Sequence, residues 1–139
     1  MHLSGQDTSG SFALIEQAGR GGTGSPLHRH TREAETFFVL EGELDGWSDG
    51  QHVVVSAGES LYLPAGGEHG FGVRSHTVQF LLLITPAGLE RFFVSDGTPD
   101  DPNTPLPPVP GPLSPEAMER LVETLSTYGI TITGPAPTA

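Results

Sequence analysis

The sequence predicts an all-β domain, either a closed barrel or two packed sheets, followed by one C-terminal α-helix. Glycine (19) and proline (13) are frequent among the 139 residues, which favours short strands joined by tight turns. Short runs rich in β-branched and aromatic residues recur between residues 12 and 95, each bounded by Gly, Pro, Asp or Ser. After residue 113 the apolar spacing changes to that of a helix. These three observations set the fold class.

The predicted strands are evenly spaced along residues 12–95, as in closed or double-sheet β architectures. Two turns are predicted between them, at Asp45-Gly46 and at Ser48-Asp49-Gly50, because glycine takes a positive φ without steric cost. The strongest strand runs are 36–40, 53–55, 61–63 and 78–84, with a first strand around 12–17.

The C-terminal part begins with a proline-rich stretch, since seven of the seventeen residues of 97–113 are proline. Ser114 is a suitable N-cap for a helix, Pro115 fits its first position, and Gly129 ends it. One apolar stripe follows the helical period, and we expect it to cover a sheet face of the barrel rather than a ligand site. Residues 130–133 (ITIT) predict an edge strand. The stripe comprises Met118, Leu121, Val122 and Leu125.

We therefore expect four segments along the chain. They are a loose N-terminal arm (1–11), the β-barrel (12–95), a Pro-rich connection (96–113), and a C-terminal helix with a short strand (114–139).

Composition excludes several classes of function. The formal net charge of −11 disfavours binding to nucleic acid and to anionic membranes. The absence of cysteine excludes disulfides, thiolate metal sites and a cysteine nucleophile. No signal peptide and no apolar run long enough to span a bilayer is visible, so we expect a soluble, cytoplasmic protein.

Two stretches carry candidate metal ligands. His28 and His30 are two residues apart, so on a strand both imidazoles point to one face, and Glu35 follows at the start of the next strand run. Two imidazoles and a carboxylate on one face form a facial triad of the kind that binds non-haem iron and related ions. His69, beyond the Pro64–Gly66 turn, is a candidate fourth ligand.

The spacing of these residues resembles the two motifs of the cupin superfamily. The first is Gly22-x5-His28-x-His30-x4-Glu35-x6-Gly42, and the second is Gly58-x5-Pro64-x-Gly66-x2-His69. The second motif departs from the family pattern at its end, where Val73 replaces the usual Asn. Fifteen residues separate the motifs, and the sequence looks most like the bacterial quercetin dioxygenase-like cupins with a single domain.

The resemblance implies a double-stranded β-helix, that is, a jelly-roll barrel, with a Pro-rich arm and one C-terminal α-helix. It also implies that His28, His30, Glu35 and His69 hold one divalent metal ion (Fe, Mn, Ni, Cu, Co or Zn), and that the protein is a homodimer. Glu33 is a rival to Glu35 as the carboxylate ligand, and the motif favours Glu35.

Aromatic and aliphatic residues near these ligands are candidates for a substrate pocket. If Glu35 points inward, alternation also turns Phe37 and Val39 inward. Tyr62, Phe71 and Phe80 are further candidates whose facing the sequence leaves open. Barrel core is the simpler interpretation of all five residues.

Three functions fit such a site. The first is a dioxygenase that uses O2 on a flavonol-like or other small aromatic or enolisable compound, with Glu35 as both ligand and proton acceptor. The second is a non-redox cyclase, isomerase or decarboxylase, in which the metal polarises a carbonyl. The third is a small-molecule binding protein without turnover. Fold alone does not choose among them.

Overall fold

The computed structural model describes residues 2–96 and 113–138, which form two antiparallel sheets and two helices. The predicted jelly-roll class is confirmed. The four-stranded sheet has the order β1-β8-β3-β6 and the five-stranded sheet the order β5-β4-β7-β2-β9. The elements in chain order are β1 (Ala13–Arg20), β2 (Leu27–His30), β3 (Ala34–Glu41), β4 (Glu43–Ser48), β5 (Gln51–Ser56), β6 (Ser60–Leu63), β7 (Glu68–Val73), β8 (Thr77–Thr85), α1 (Glu90–Asp96), α2 (Pro115–Thr127) and β9 (Ile130–Gly134).

The hydrophobic core fills the space between the two sheets. Alternation along β8 makes this clear, because every second residue from Val78 to Ile84 is buried. On β3, Glu35, Phe37 and Val39 point inward while Phe38 lies on the exposed face, as the sequence predicted. The inward faces therefore carry both the core and any site inside the barrel.

Only one of the two predicted turns is present. Asp49 and Gly50 both have positive φ (46° and 83°) and join β4 to β5, which confirms the second turn. The Asp45-Gly46 prediction is wrong, since both residues lie within β4 and pair with β5 and β7. A side chain at Gly46 would collide with Leu61, so close packing rather than a turn requires this glycine.

The C-terminal helix and strand form where the sequence placed them. Ser114 caps α2 by accepting a hydrogen bond from the Ala117 amide (3.2 Å), and Gly129 beyond its end has a φ of 75°. β9 pairs antiparallel with β2 and forms an edge of the five-stranded sheet. Residues 97–112, the predicted Pro-rich connection, lie outside the described residues.

Two features differ from expectation. Residues 90–95 were assigned to the barrel segment (12–95), but Glu90–Asp96 form the helix α1. Residues 2–11 were expected to be loose, yet the amides of His2 and Leu3 both donate to the Leu14 carbonyl, at 2.9 and 3.0 Å. The amide of Gly5 also donates to the Glu90 carboxylate (2.9 Å), which ties this segment to α1. No helix in the described ranges is long and apolar enough to cross a bilayer.

Candidate metal centre

Three histidines meet on the inner face of the five-stranded sheet. In the register between β2 and β7, His28 lies directly opposite His69, and their ring centroids are 4.5 Å apart. His30 follows two residues later on the same face, with its ring 4.9 Å from that of His28 and 5.0 Å from that of His69. The strand pairing therefore brings two separate stretches of sequence together.

The carboxylate comes from the opposite sheet. Glu35 is the first inward residue of β3, paired with Leu63 and Ile84, and its side chain crosses the barrel interior. Its Oε1 lies 3.3 Å from Nε2 of His30, and its Oε2 lies 3.8 Å from Nε2 of His69. The structure thus brings all four predicted ligands to one place between the sheets.

The chemistry of these donors fits a metal ion. One ring nitrogen from each of His28, His30 and His69 lies within 4.8 Å of the others. Both ring nitrogens of His30 and of His69 are buried without a hydrogen-bond partner among the described residues. Unpartnered buried nitrogens are costly, and a cation bound by their lone pairs would remove that cost. Glu35 lies beside this histidine group as a candidate fourth ligand.

Burial sets the protonation of the site. It lowers the pKa of all three histidines, because the charged imidazolium is poorly solvated inside the barrel. The pKa falls to about 4 for His30 and to about 3 for His69, and charge repulsion from His28 contributes to both of these shifts. Burial also raises the pKa of Glu35 to about 8, assisted by the nearby Glu33. Near neutral pH the metal-free histidines are therefore neutral, as metal ligation requires, and a cation would displace the proton of Glu35.

A second buried carboxylate contacts the other side of His30. Glu33 is 3% exposed, and its Oε2 lies 3.4 Å from Nδ1 of His30. The two candidate carboxylates therefore lie on different sides of one ring, with Glu35 near Nε2 and Glu33 near Nδ1 of His30. His28 has a similar arrangement, with its Nδ1 2.8 Å from the Pro26 carbonyl. Such contacts fix which ring nitrogen faces the metal position.

A cavity of about 220 Å³ adjoins the histidines. Of the predicted pocket residues, Phe37 and Phe71 line it, and their rings are 5.4 Å apart. Val39 and Phe80 are buried in the core and are not among the described lining residues. The assignment of Tyr62 to the pocket is wrong, because alternation turns its side chain to the outer surface, where it is 62% exposed.

Another part of the cavity wall comes from residues after the last barrel strand of the four-stranded sheet, and sequence reasoning missed it. Leu121 and Leu125 of α2 line the cavity, so half of the apolar stripe covers the ligand site rather than a sheet face. Met118 and Val122, the other half, remain exposed. We call the lining residues from this part of the chain the roof: Leu89, Phe92, Phe93, Leu121, Leu125, Ile130 and Ile132.

The other three histidines lie outside this site. His52 contacts Asp45 (2.8 Å) and stacks against Trp47 on the surface, and His2 contacts Glu16 (3.0 Å). His76 is exposed. None of them faces the cavity.

Comparison with known proteins identifies the family. Residues 16–86 match the family model described as the cupin domain, so the chain belongs to the cupin family. It is also 32% identical over 94 residues to quercetin 2,3-dioxygenase of Bacillus subtilis (strain 168). That alignment covers 68% of this chain and only 28% of the relative, so the chain spans little more than a quarter of that protein's length.

Solved structures agree on the fold. A predicted oxalate decarboxylase from Thermotoga maritima superposes with a TM-score of 0.57 at 23% identity, covering 60% of this chain and 75% of that one. An RmlC-like cupin from Shewanella frigidimarina gives a TM-score of 0.54 at 23% identity, covering 59% and 72%. At this level of identity the likeness supports the barrel alone.

Proposed function

We propose that this chain is a metal-dependent dioxygenase acting on a flavonol-like or other small aromatic or enolisable compound. The observation that carries the proposal is the arrangement of the cavity, which has three imidazoles and a carboxylate at one end and apolar walls elsewhere. Such a cavity fits a substrate with an oxygen at one end and an apolar body. The likeness to quercetin 2,3-dioxygenase supports the same substrate chemistry.

Each residue has a role in this proposal. His28, His30, His69 and Glu35 would hold one divalent ion (Fe, Mn, Ni, Cu, Co or Zn), and a redox-active ion would supply the electron transfer between the substrate and O2. Glu35 would also accept the proton of the substrate hydroxyl, because it lines the cavity and its carboxylate lies beside the histidines that would hold the metal. The apolar walls would exclude water from the activated substrate.

The first test is elemental analysis of the purified protein, followed by oxygen uptake with flavonols and catechol-like compounds. We expect about one Fe, Mn, Ni or Cu per chain, and oxygen consumption matched by loss of the organic substrate. Glu35→Gln should abolish uptake, whereas His52→Ala should not, because His52 lies on the outer surface. Zinc alone, or no metal, together with no oxygen uptake would contradict the proposal in favour of a non-redox reaction.

A further inference from the structure

The roof differs from the metal centre in where it lies along the chain. All four candidate ligands fall within residues 16–86, the part that matches the cupin family model. Every residue of the roof, from Leu89 to Ile132, lies after that part. The walls that a substrate body would touch are therefore shared between the matched barrel, which supplies Pro26, Phe71 and Leu82 among others, and the roof. The metal position is formed within the barrel alone.

The roof covers one side of a space that remains partly open to solvent. The cavity of about 220 Å³ remains between the roof and the inner barrel residues, with the histidines at its base. Two helices contribute, with Phe92 and Phe93 from α1 and Leu121 and Leu125 from α2. Apart from the candidate ligands, the described lining residues with polar side chains are Gln17 and Ser25, and neither is charged. The lining therefore favours an occupant with an uncharged and largely apolar body.

The size of the cavity limits that body. A cavity of about 150 Å³ lined by Leu, Ile and Phe holds one benzene molecule. At about 220 Å³ this cavity is larger by only a few heavy atoms, and a bound metal ion would occupy part of it. A single ring with short substituents fits within these walls, whereas the three rings of a flavonol extend beyond them.

We infer that the roof favours a compound with a single ring, such as a catechol or a similar enolisable ring, over the flavonol skeleton, whose further rings would lie beyond the apolar walls. This inference rests on the proposed function and narrows its substrate class. Leu121 and Leu125 are then specificity-determining residues, because they line the cavity from a helix that lies outside the matched barrel. They take no part in metal binding.

The test is ligand binding without turnover. Zinc-loaded protein is dialysed to equilibrium, under nitrogen, against catechol or against 3-hydroxyflavone, which offer similar oxygen pairs on bodies of different size. We expect catechol to bind at least about tenfold more tightly. Equal or tighter binding of 3-hydroxyflavone by the unmodified protein would overturn the inference.

Two helix variants give a matched comparison. Leu121→Trp should fill the cavity and weaken catechol binding by about tenfold, the cost of overpacking. Val122→Trp, on the exposed side of the same helix, should change catechol binding by less than about twofold.

A third variant tests the size of the cavity. Leu125→Ala should enlarge the cavity and reduce the preference for catechol over 3-hydroxyflavone. Equal effects of the two tryptophan variants, or an unchanged preference in Leu125→Ala, would contradict the role of the roof.

These outcomes are distinct from those that test the proposed function. Selective binding of catechol without oxygen uptake by the Fe-, Mn-, Ni- or Cu-loaded protein would leave the roof inference standing and refute the dioxygenase. Oxygen uptake with flavonols as good as with catechols would support the dioxygenase and refute the selection by ring size.

Discussion

The inner barrel and the roof line the same cavity, but their residues are fixed in place by different kinds of structure. The candidate ligands lie on strands paired along their length, with His28 opposite His69 and Glu35 between Leu63 and Ile84. The roof includes α2, no residue of which is fully buried. Paired strands fix side chains closely, whereas a helix attached by half of its apolar stripe is held by fewer contacts.

Because the candidate ligands and the roof lie on different elements, metal binding and the shape of the cavity should depend on different residues. Changes in the strands that carry the candidate ligands would alter metal binding, because each imidazole position depends on the register of β2 and β7. Changes in the roof would alter the shape of the cavity and leave the candidate ligands in place. Under the proposed function, substrate choice could therefore vary without loss of the candidate metal centre.

The largest effect should come from the ligands themselves. His69→Ala or Glu35→Ala should reduce the bound metal from about one equivalent to nearly none, since each removes a donor that no neighbouring side chain replaces. Metal content after dialysis, measured by mass spectrometry, checks this. His52→Ala is the control and should keep full occupancy. If all three variants keep about one equivalent of metal, the ion is bound at a different site.

Replacing Glu33 should have a smaller effect on metal binding than replacing a candidate ligand. Glu33→Gln removes the carboxylate that faces Nδ1 of His30 at 3.4 Å and should weaken metal affinity by about 10- to 100-fold. Competition with a chelator measures the affinity, and nitrogen chemical shifts of His30 in the metal-free protein report its tautomer.

The neighbouring Glu90 provides the control for Glu33. It is also buried, but among the described residues its carboxylate accepts hydrogen bonds from the backbone amides of Gly5 and Gly88 rather than facing a candidate ligand. Glu90→Gln should therefore lower stability without shifting the His30 signals. If Glu33→Gln and Glu90→Gln change metal affinity equally, the contact between Glu33 and His30 has no special role.

The smallest effect should come from substitutions in α2, and it should be on thermal stability rather than on metal binding. Leu121→Asp places a charge against the apolar cavity and should cost about 1–2 kcal/mol, or a fall of a few degrees in Tm. Val122→Asp, on the exposed side, should change Tm by less than about 1 °C. Thermal unfolding followed by circular dichroism separates the two. Equal shifts would show that α2 is not docked over the cavity.

Much of the barrel could be predicted because the sequence patterns that indicate its strands involve only residues close together in the chain. Strand alternation placed Glu35 and Phe37 inward, and the two-residue spacing placed His28 and His30 on one face. The cap at Ser114 was equally visible, since N-cap chemistry needs only neighbouring residues.

The errors came from features that depend on distant parts of the chain. Gly46 was assigned to a turn, yet its role is to make room for Leu61. Tyr62 was assigned to the pocket because its run of alternating residues is too short to fix its facing. The helix α1 was missed because its two phenylalanines also suit a strand. The roof was missed because it forms only when α1, α2 and β9 meet over the barrel.

The pairing of β9 with β2 has a further consequence for the metal centre. β2 has four residues, two of which are candidate ligands, and β7 covers only one of its sides. Without β9, this short strand would be the edge of the sheet, with unpaired backbone groups open to water and to other chains. The C-terminal strand therefore protects the ligand strand from fraying and from intermolecular association.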